Sequence, residues 1–166
     1  LNQYILTSHL NGNPLPENPT SRAIHIRHIN QCWNWGIKNN LVEKAHLIPG
    51  DTKGESRLRT YKRCELNLMF TGIKDDKFNS FVRFAYYTGA RSGEIRSISR
   101  DCVLEDSLIV RGKTGRRIVK LNSQARKLIH NQKELWKYTK EYVSHKFKGE
   151  VRKLGIKDAR FHDLRR

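Results

Sequence analysis

The sequence predicts a mainly α-helical protein with a small three-stranded antiparallel sheet inserted in its second half. Apolar residues recur at helical spacings of three and four over most of the chain. Between positions 102 and 121, three short apolar runs are instead separated by turn residues, which is typical of short strands. With 166 residues, the chain is long enough for one small unit and most of a second domain.

The first predicted helix covers residues 21–40. Ser21 can cap it, and four apolar residues lie along one face of it: Ile26, Ile29, Trp33 and Ile37. Residues 11–19 carry turn signals and predict a loop. We interpret residues 1–48 as the end of an N-terminal helical unit. Residues 49–60 are rich in glycine and charge and poor in apolar side chains, which indicates a linker.

Residues 61–166 make up the second predicted domain. One helix covers about 62–70, and another runs from near Asp76 to Thr88-Gly89 with Phe78, Phe81, Val82 and Ala85 on its buried face. The three predicted strands are 102–104, 108–110 and 118–119, the last extended by Leu121. Helical spacing then returns at 125–132 and 143–154.

The charge balance indicates a polyanionic partner. Lysine and arginine number 33 against 16 acidic residues, a formal charge of +17, and such an excess repels itself unless an anion lies against it. We therefore expect nucleic acid as the partner. Membrane attachment is disfavoured, because the sequence has neither a long apolar run nor a terminal lipidation motif. RNA binding is disfavoured because no strand carries base-stacking aromatic residues.

Metal and nucleotide sites are also disfavoured. Cys32, Cys64 and Cys102 are far apart, which indicates reduced thiols in the cytoplasm and not a zinc site. The run Gly112-Lys113-Thr114 resembles part of a phosphate-binding loop. Ser107 stands where that loop requires its upstream glycine, so no nucleotide is expected.

Three segments place cations where the chain turns. In the first, Thr88-Gly89-Ala90-Arg91 ends one helix and Arg91 opens the next, with Glu94 one turn later. An arginine there can hold a phosphate with its planar fork, and Glu94 can orient neighbouring basic groups. A surface arginine beside a capping turn is an equally good interpretation of this segment alone.

The other two segments lie on the predicted hairpin and near residue 162. Lys113 falls between two strands and is followed by Arg116 and Arg117, so it could contact a phosphate or donate a proton; a solubilising turn is the alternative. His162 and Arg165 are three positions apart at a predicted helix start, where both can address one phosphate. A basic helix face is the alternative there.

Together the three segments resemble the tyrosine recombinases, the phage integrase family. That family has an arginine in a Thr-Gly-x-Arg-x-x-Glu context, a lysine on a β-hairpin and a later His-x-x-Arg pair. Arg91 with Glu94, Lys113, and His162 with Arg165 match in order. The resemblance covers residues 55–166. It implies the catalytic-domain fold of that family for residues 61–166, and part of its helical core-binding domain for residues 1–48.

The resemblance implies DNA strand cleavage and rejoining through a 3′-phosphotyrosine. Arg91 and Arg165 would clamp the scissile phosphate, Lys113 would protonate the departing 5′ oxygen, and His162 would assist proton transfer. Glu94 would support the site, and Arg116, Arg117 and Arg166 would bind DNA. No metal or cofactor is implied, since paired guanidinium groups supply the positive charge. Other recombinase protomers on DNA and a nucleoid-associated cytoplasmic location are implied as well.

One departure from the family concerns the nucleophile. The family's tyrosine follows the His-x-x-Arg pair, and none of the six tyrosines here occupies that position: Tyr4, Tyr61, Tyr86, Tyr87, Tyr138 and Tyr142. We therefore expect a fragment cut off before the nucleophile and inactive in cleavage alone. The alternative is a non-catalytic DNA-binding remnant or decoy of an integrase.

Overall fold

The computed structural model describes residues 9–10, 13–14, 18–51, 53–54, 57–112 and 115–165. It forms two compact units, Leu1–Leu58 and Arg59–Arg166. The first unit contains strands β1 (His9–Leu10) and β2 (Asn13–Pro14) and helix α1 (Pro19–Lys38). The second contains, in order, α2 (Arg63–Gly72), α3 (Asp76–Thr88), α4 (Ser92–Arg96), the 3₁₀ segment η1 (Arg100–Cys102), β3 (Ser107–Gly112), β4 (Gly115–Lys120), α5 (Ser123–His130), α6 (Lys140–Lys153) and the 3₁₀ segment η2 (Phe161–Arg165). The prediction of a mainly helical protein is confirmed.

Helix α1 begins two residues before the predicted start. Asn18 is its N-cap, and the Asn18 side-chain oxygen accepts the backbone N–H groups of Thr20 at 2.9 Å and Ser21 at 3.2 Å. Capping by Ser21 and a loop reaching residue 19 were therefore wrong predictions. Proline is favoured at the first helical position because it lacks the N–H that would otherwise need a partner, and Pro19 occupies that position.

The first unit has a small core on one side of α1. Ile26 and Ile48 are buried, and Ile29 packs against them. The side chain of Asn30 holds residue 48 through two hydrogen bonds, donating to the Ile48 carbonyl at 3.0 Å and accepting the Ile48 N–H at 2.8 Å. The predicted apolar face is only partly buried, because Ile37 is 40% exposed.

Helix α3 is the centre of the second unit. Its predicted buried face is confirmed, since Phe78, Phe81, Val82 and Ala85 are at most 1% exposed. Helix α3 packs against α2, α5 and η2. Trp136, which is fully buried, stacks near Phe84 and donates its indole N–H to Ser80 Oγ at 2.9 Å. This packing holds the middle of α3 in the core.

The sheet has two strands where three were predicted. Strands β3 and β4 pair antiparallel from Ser107 with Lys120 to Gly112 with Gly115. The predicted first strand, 102–104, is reduced to one bridge between Val103 and Leu108. Residues Arg100–Cys102 form η1 instead, and the N–H groups of Cys102 and Val103 donate to the carbonyls of Ser99 and Arg100. Because these donors are used locally, they cannot extend a ladder.

Arg100 contacts the chain where α5 ends. Its guanidinium donates to the carbonyls of Ile129 at 3.1 Å and Lys133 at 3.4 Å, and also to that of Gln132. These carbonyls belong to the end of α5 and the residues just after it, where a helix leaves acceptors unsatisfied. η1 is therefore tied to the end of α5.

Candidate functional site

The candidate site is built on the turn that ends α3. Gly89 lies in the left-handed region at φ 60°, and its N–H donates to the Ala85 carbonyl. Such a conformation costs glycine little and ends a helix sharply. Thr88 braces the turn: its hydroxyl donates to the Phe84 carbonyl at 2.7 Å and accepts the Ala90 N–H at 3.2 Å. Arg91 follows as the N-cap of α4, and the turn therefore fixes the backbone position from which its side chain extends.

Glu94 lies beneath Arg91 and receives hydrogen bonds from two arginines. Its carboxylate accepts the backbone N–H of Arg91 at 2.7 Å and Arg91 Nη1 at 2.9 Å. It also accepts Arg117 Nε at 3.2 Å and Arg117 Nη2 at 2.7 Å. The Glu94 side chain is 1% exposed, whereas those of Arg91 and Arg117 are 43% and 37% exposed. A buried carboxylate thus holds two cations whose outer edges face solvent.

The electrostatics of this cluster keep Glu94 ionised. Burial opposes the charged form, but hydrogen bonds from Arg117 and from the backbone and side chain of Arg91 outweigh it. Together they lower the pKa of Glu94 to about 2. The cluster therefore has two positive charges and one negative charge at neutral pH, which leaves a net positive charge beside the turn.

The loop end of the β3–β4 hairpin is packed directly on this cluster. A Cβ at position 112 would lie 2.7 Å from Glu94 Oε1 and 3.8 Å from Arg91 Nη1, so only glycine fits there without a shift. Gly112 pairs with Gly115, and the two residues between them in the sequence are Lys113 and Thr114. Lys113 and Thr114 lie outside the described residues.

Segment η2 brings a second arginine to the same turn. Leu164 is 3% exposed and anchors η2 in the core, and η2 packs against α3 and α6. A Cβ at Gly89 would lie 3.9 Å from Cγ of Arg165, so the stem of Arg165 passes over the turn that leads to Arg91. Arg165 is exposed and has no hydrogen bond or ion pair with the described part of the chain. Its guanidinium is available for an anion.

His162 shares a face with Arg165. Side chains three apart eclipse in a 3₁₀ turn, and both residues lie on η2 and are exposed. His162 also lines, with Ser92 at the start of α4, an open groove of about 830 Å³ along α6. Among the predicted site residues, the structure thus joins Arg91, Glu94 and Arg117 and brings the stem of Arg165 to their turn. Arg166 is outside the described residues.

Arg116 and Arg117 occupy opposite faces of the hairpin. Leu108, Val110 and Val119 are buried on the face that carries Arg117, whereas Arg116 is exposed on the other face. The sequence analysis assigned both arginines to DNA and missed the contact of Arg117 with Glu94. The signal was present, because Arg117 is in phase with the buried Val119, two residues away.

The tyrosines of the described part of the chain have other surroundings. Tyr61 donates to the Arg160 carbonyl at 2.9 Å. Tyr86 and Tyr87 pack against Phe70, and Tyr138 and Tyr142 stack with their ring centres 5.0 Å apart. Burial, with smaller contributions from Asp75 and Tyr142, raises the pKa of Tyr138 to about 12, which makes its hydroxyl a poor nucleophile. Tyr4 lies outside the described residues.

The described residues contain neither a metal-binding cluster nor a membrane-spanning helix. No group of three or more histidine, cysteine, aspartate or glutamate side chains in that part of the chain could hold a metal ion. None of the helices described is long and apolar enough to cross a membrane. The three cysteines, Cys32, Cys64 and Cys102, are free thiols.

Comparison with solved structures identifies the fold. No protein-family model and no curated protein matches the sequence. The chain is similar to a lambda integrase tetramer bound to a Holliday junction, with a TM-score of 0.72, 15% identity, and coverage of 89% of this chain and 52% of that chain. It is also similar to the Tn1549 transposon integrase in complex with transposon right end DNA, with a TM-score of 0.70, 11% identity, and coverage of 89% and 65%.

A recombinase gives a further match. The XerA recombinase aligns with a TM-score of 0.55 and 18% identity over 88% of this chain and 58% of that chain. This chain therefore spans about half to two thirds of the length of each of these proteins. All three are tyrosine recombinases, and the chain has the fold of the tyrosine recombinases.

Proposed function

We propose that this chain is part of a site-specific DNA recombinase of the tyrosine type, and that it binds duplex DNA at the turn after α3. The observation that carries the proposal is that the stem of Arg165, from η2, lies beside Gly89, two residues before Arg91 on the same turn. Both have guanidinium groups that can face solvent. Two guanidinium groups side by side suit a phosphodiester, because each can donate parallel hydrogen bonds to its oxygens.

The chemistry that follows is transesterification at phosphorus. Arg91 and Arg165 hold the scissile phosphate and stabilise the charge that grows on its oxygens in the pentacoordinate transition state. Lys113 delivers a proton to the departing 5′ oxygen, and His162 assists proton transfer. Glu94 keeps Arg91 in place. Arg116 and Arg166 bind the DNA backbone, which positions the duplex without selecting its sequence.

The proposal extends to the organisation of the protein. Residues 1–48 are the end of a core-binding domain, 49–60 a linker, and 61–166 catalytic-domain sequence. Further protomers join on the DNA, and the protein works in the cytoplasm on the nucleoid. The tetramer and the DNA complexes among the similar structures support the binding of DNA and of further protomers.

A second candidate function is DNA binding without cleavage, as in a remnant or decoy of an integrase. The surroundings of the tyrosines favour it, because Tyr61, Tyr86, Tyr87, Tyr138 and Tyr142 are engaged elsewhere. In the recombinase the attacking tyrosine comes from outside these 166 residues, whereas in the second candidate no tyrosine attacks. The chain alone should therefore form no covalent adduct with a nicked suicide substrate, and such an adduct would refute this part of the proposal.

Duplex binding is tested by fluorescence anisotropy with a short duplex DNA at two salt concentrations. We expect affinity to fall steeply with salt, and Arg91→Gln and Arg165→Gln each to weaken binding by about tenfold. Lys77→Gln is the matched control, because Lys77 lies at the opposite end of α3, roughly 17 Å away along the helix axis, and pairs with Glu134. Equal affinity of all three variants, or a preference for single-stranded RNA, would contradict the proposal.

A further inference from the structure

We infer that Arg117 is a positioning residue: it holds Glu94 and thereby fixes both Arg91 and the loop end of the hairpin, and it does not itself bind the phosphate. This inference rests on the proposed function and assigns a role to a residue that the sequence analysis gave to direct DNA contact.

The register of the hairpin turns Arg117 inward. Arg117 pairs with Val110, and Arg116 with Arg111. Val110 is 1% exposed, and Val119, two residues after Arg117 on the same face, is 5% exposed. Arg116 and Arg111 are exposed on the other face. An arginine in line with core residues needs a buried acceptor, and Glu94 is that acceptor.

The hydrogen bonds show how Glu94 joins two elements. Oε1 accepts Nη1 of Arg91 and Nε of Arg117, and Oε2 accepts the backbone N–H of Arg91 and Nη2 of Arg117. Each carboxylate oxygen thus receives one bond from the turn and one from the hairpin. Arg117 uses the side-on edge of its guanidinium for this contact, a geometry that lysine cannot reproduce.

The charge of the cluster gives Arg117 its effect on ligand binding. With Arg117 in place, one positive charge neutralises Glu94 and Arg91 can attract an anion. Without Arg117, Arg91 is the remaining partner of Glu94 in the cluster, and a buried carboxylate faces the incoming phosphate. Loss of Arg117 should therefore weaken DNA binding because Glu94 is present, and the loss should disappear when Glu94 is neutral.

This dependence on Glu94 is tested with a double-mutant cycle on the 166-residue chain. The variants are Arg117→Gln, Glu94→Gln and the two combined, with Arg116→Gln as the matched control for removing a neighbouring charge. The measurement is the affinity for duplex DNA at fixed salt. We expect Arg117→Gln to weaken binding by about tenfold in the native background. In the Glu94→Gln background the same change should cost no more than Arg116→Gln costs.

The opposite result identifies a direct contact. If Arg117→Gln weakens binding by the same factor in both backgrounds, and by more than Arg116→Gln does, Arg117 binds DNA itself and the inference is overturned. If the unsubstituted chain does not bind duplex DNA at all, the proposed function fails. That outcome is distinct from a chain that binds DNA but shows additive losses, which overturns only the role of Arg117.

A second variant covers the case in which Glu94→Gln does not fold. Arg117→Lys keeps the positive charge but cannot contact both carboxylate oxygens at once. We expect weaker DNA binding together with a Glu94 carboxyl carbon that titrates at higher pH, as followed by carbon NMR of the free protein. Unchanged titration and unchanged affinity in Arg117→Lys would overturn the inference. The titration needs no DNA, so it tests the contact between Arg117 and Glu94 even if the proposed function fails.

Discussion

Replacing Glu94 with glutamine removes the negative charge on which Arg91 and Arg117 converge. The ionised carboxylate is favoured in the folded protein, since its pKa falls from 4.5 to about 2. At 1.36 kcal/mol for each pKa unit, this difference amounts to roughly 3 kcal/mol. The amide keeps one acceptor oxygen, but it turns an NH₂ group toward a guanidinium donor. We therefore expect the free energy of unfolding at pH 7 to fall by about 3 kcal/mol.

Urea denaturation followed by circular dichroism measures this loss. Glu134→Gln is the control, because Glu134 is 84% exposed and pairs with Lys77 at 3.3 Å on the surface. An exposed pair of this kind contributes little, so the control should change the free energy of unfolding by less than about 0.5 kcal/mol. A Glu94→Gln protein as stable as the control would refute the view that the buried carboxylate organises this region.

Three further predictions concern the same fold. The stability difference between the unsubstituted chain and Glu94→Gln should be complete above about pH 5 and shrink as the pH falls toward 2, because protonation of Glu94 removes its advantage in the folded state; a pH-independent difference in urea titrations would contradict this. Gly112→Ala should lower stability by about 1–3 kcal/mol, since its Cβ would lie 2.7 Å from Glu94, whereas Gly149→Ala, in open space on α6, should be neutral or stabilising in the same assay. Trp136→Phe should cost about 1–3 kcal/mol in thermal or urea unfolding by leaving a cavity and removing the bond to Ser80, and an unchanged midpoint would count against the central packing of Trp136.

Spacing alone predicted the helices of the second unit. Phe78, Phe81, Val82 and Ala85 repeat at helical intervals and so predicted α3, and the Thr88-Gly89 pair predicted the residue at which it ends. The prediction failed at residues 102–104, where an apolar run favoured a strand. The backbone donors there are taken by the local η1 turn, and a sequence pattern does not show which acceptor a backbone N–H will find.

Only part of the candidate site could be predicted from the sequence. Arg91 and Glu94 are three positions apart at a helix start, so their proximity could be inferred from local geometry. The meeting of Glu94 with Arg117 depends on how the hairpin packs on α4, and that of Gly89 with Arg165 on how η2 packs on α3. Contacts between distant segments follow from tertiary packing, which charge and periodicity do not encode residue by residue. The order of the motifs, which resembles that of the tyrosine recombinases, predicted that these distant segments form one site.

The most direct test is a crystal structure of this chain bound to duplex DNA. We expect the guanidinium nitrogens of Arg91 and Arg165 to lie at about 2.7–3.2 Å from oxygens of one and the same phosphate. We also expect Glu94 to keep its contacts with Arg91 and Arg117 in the complex. Arginines on separate phosphates, or DNA bound to another face of the protein, would contradict the account.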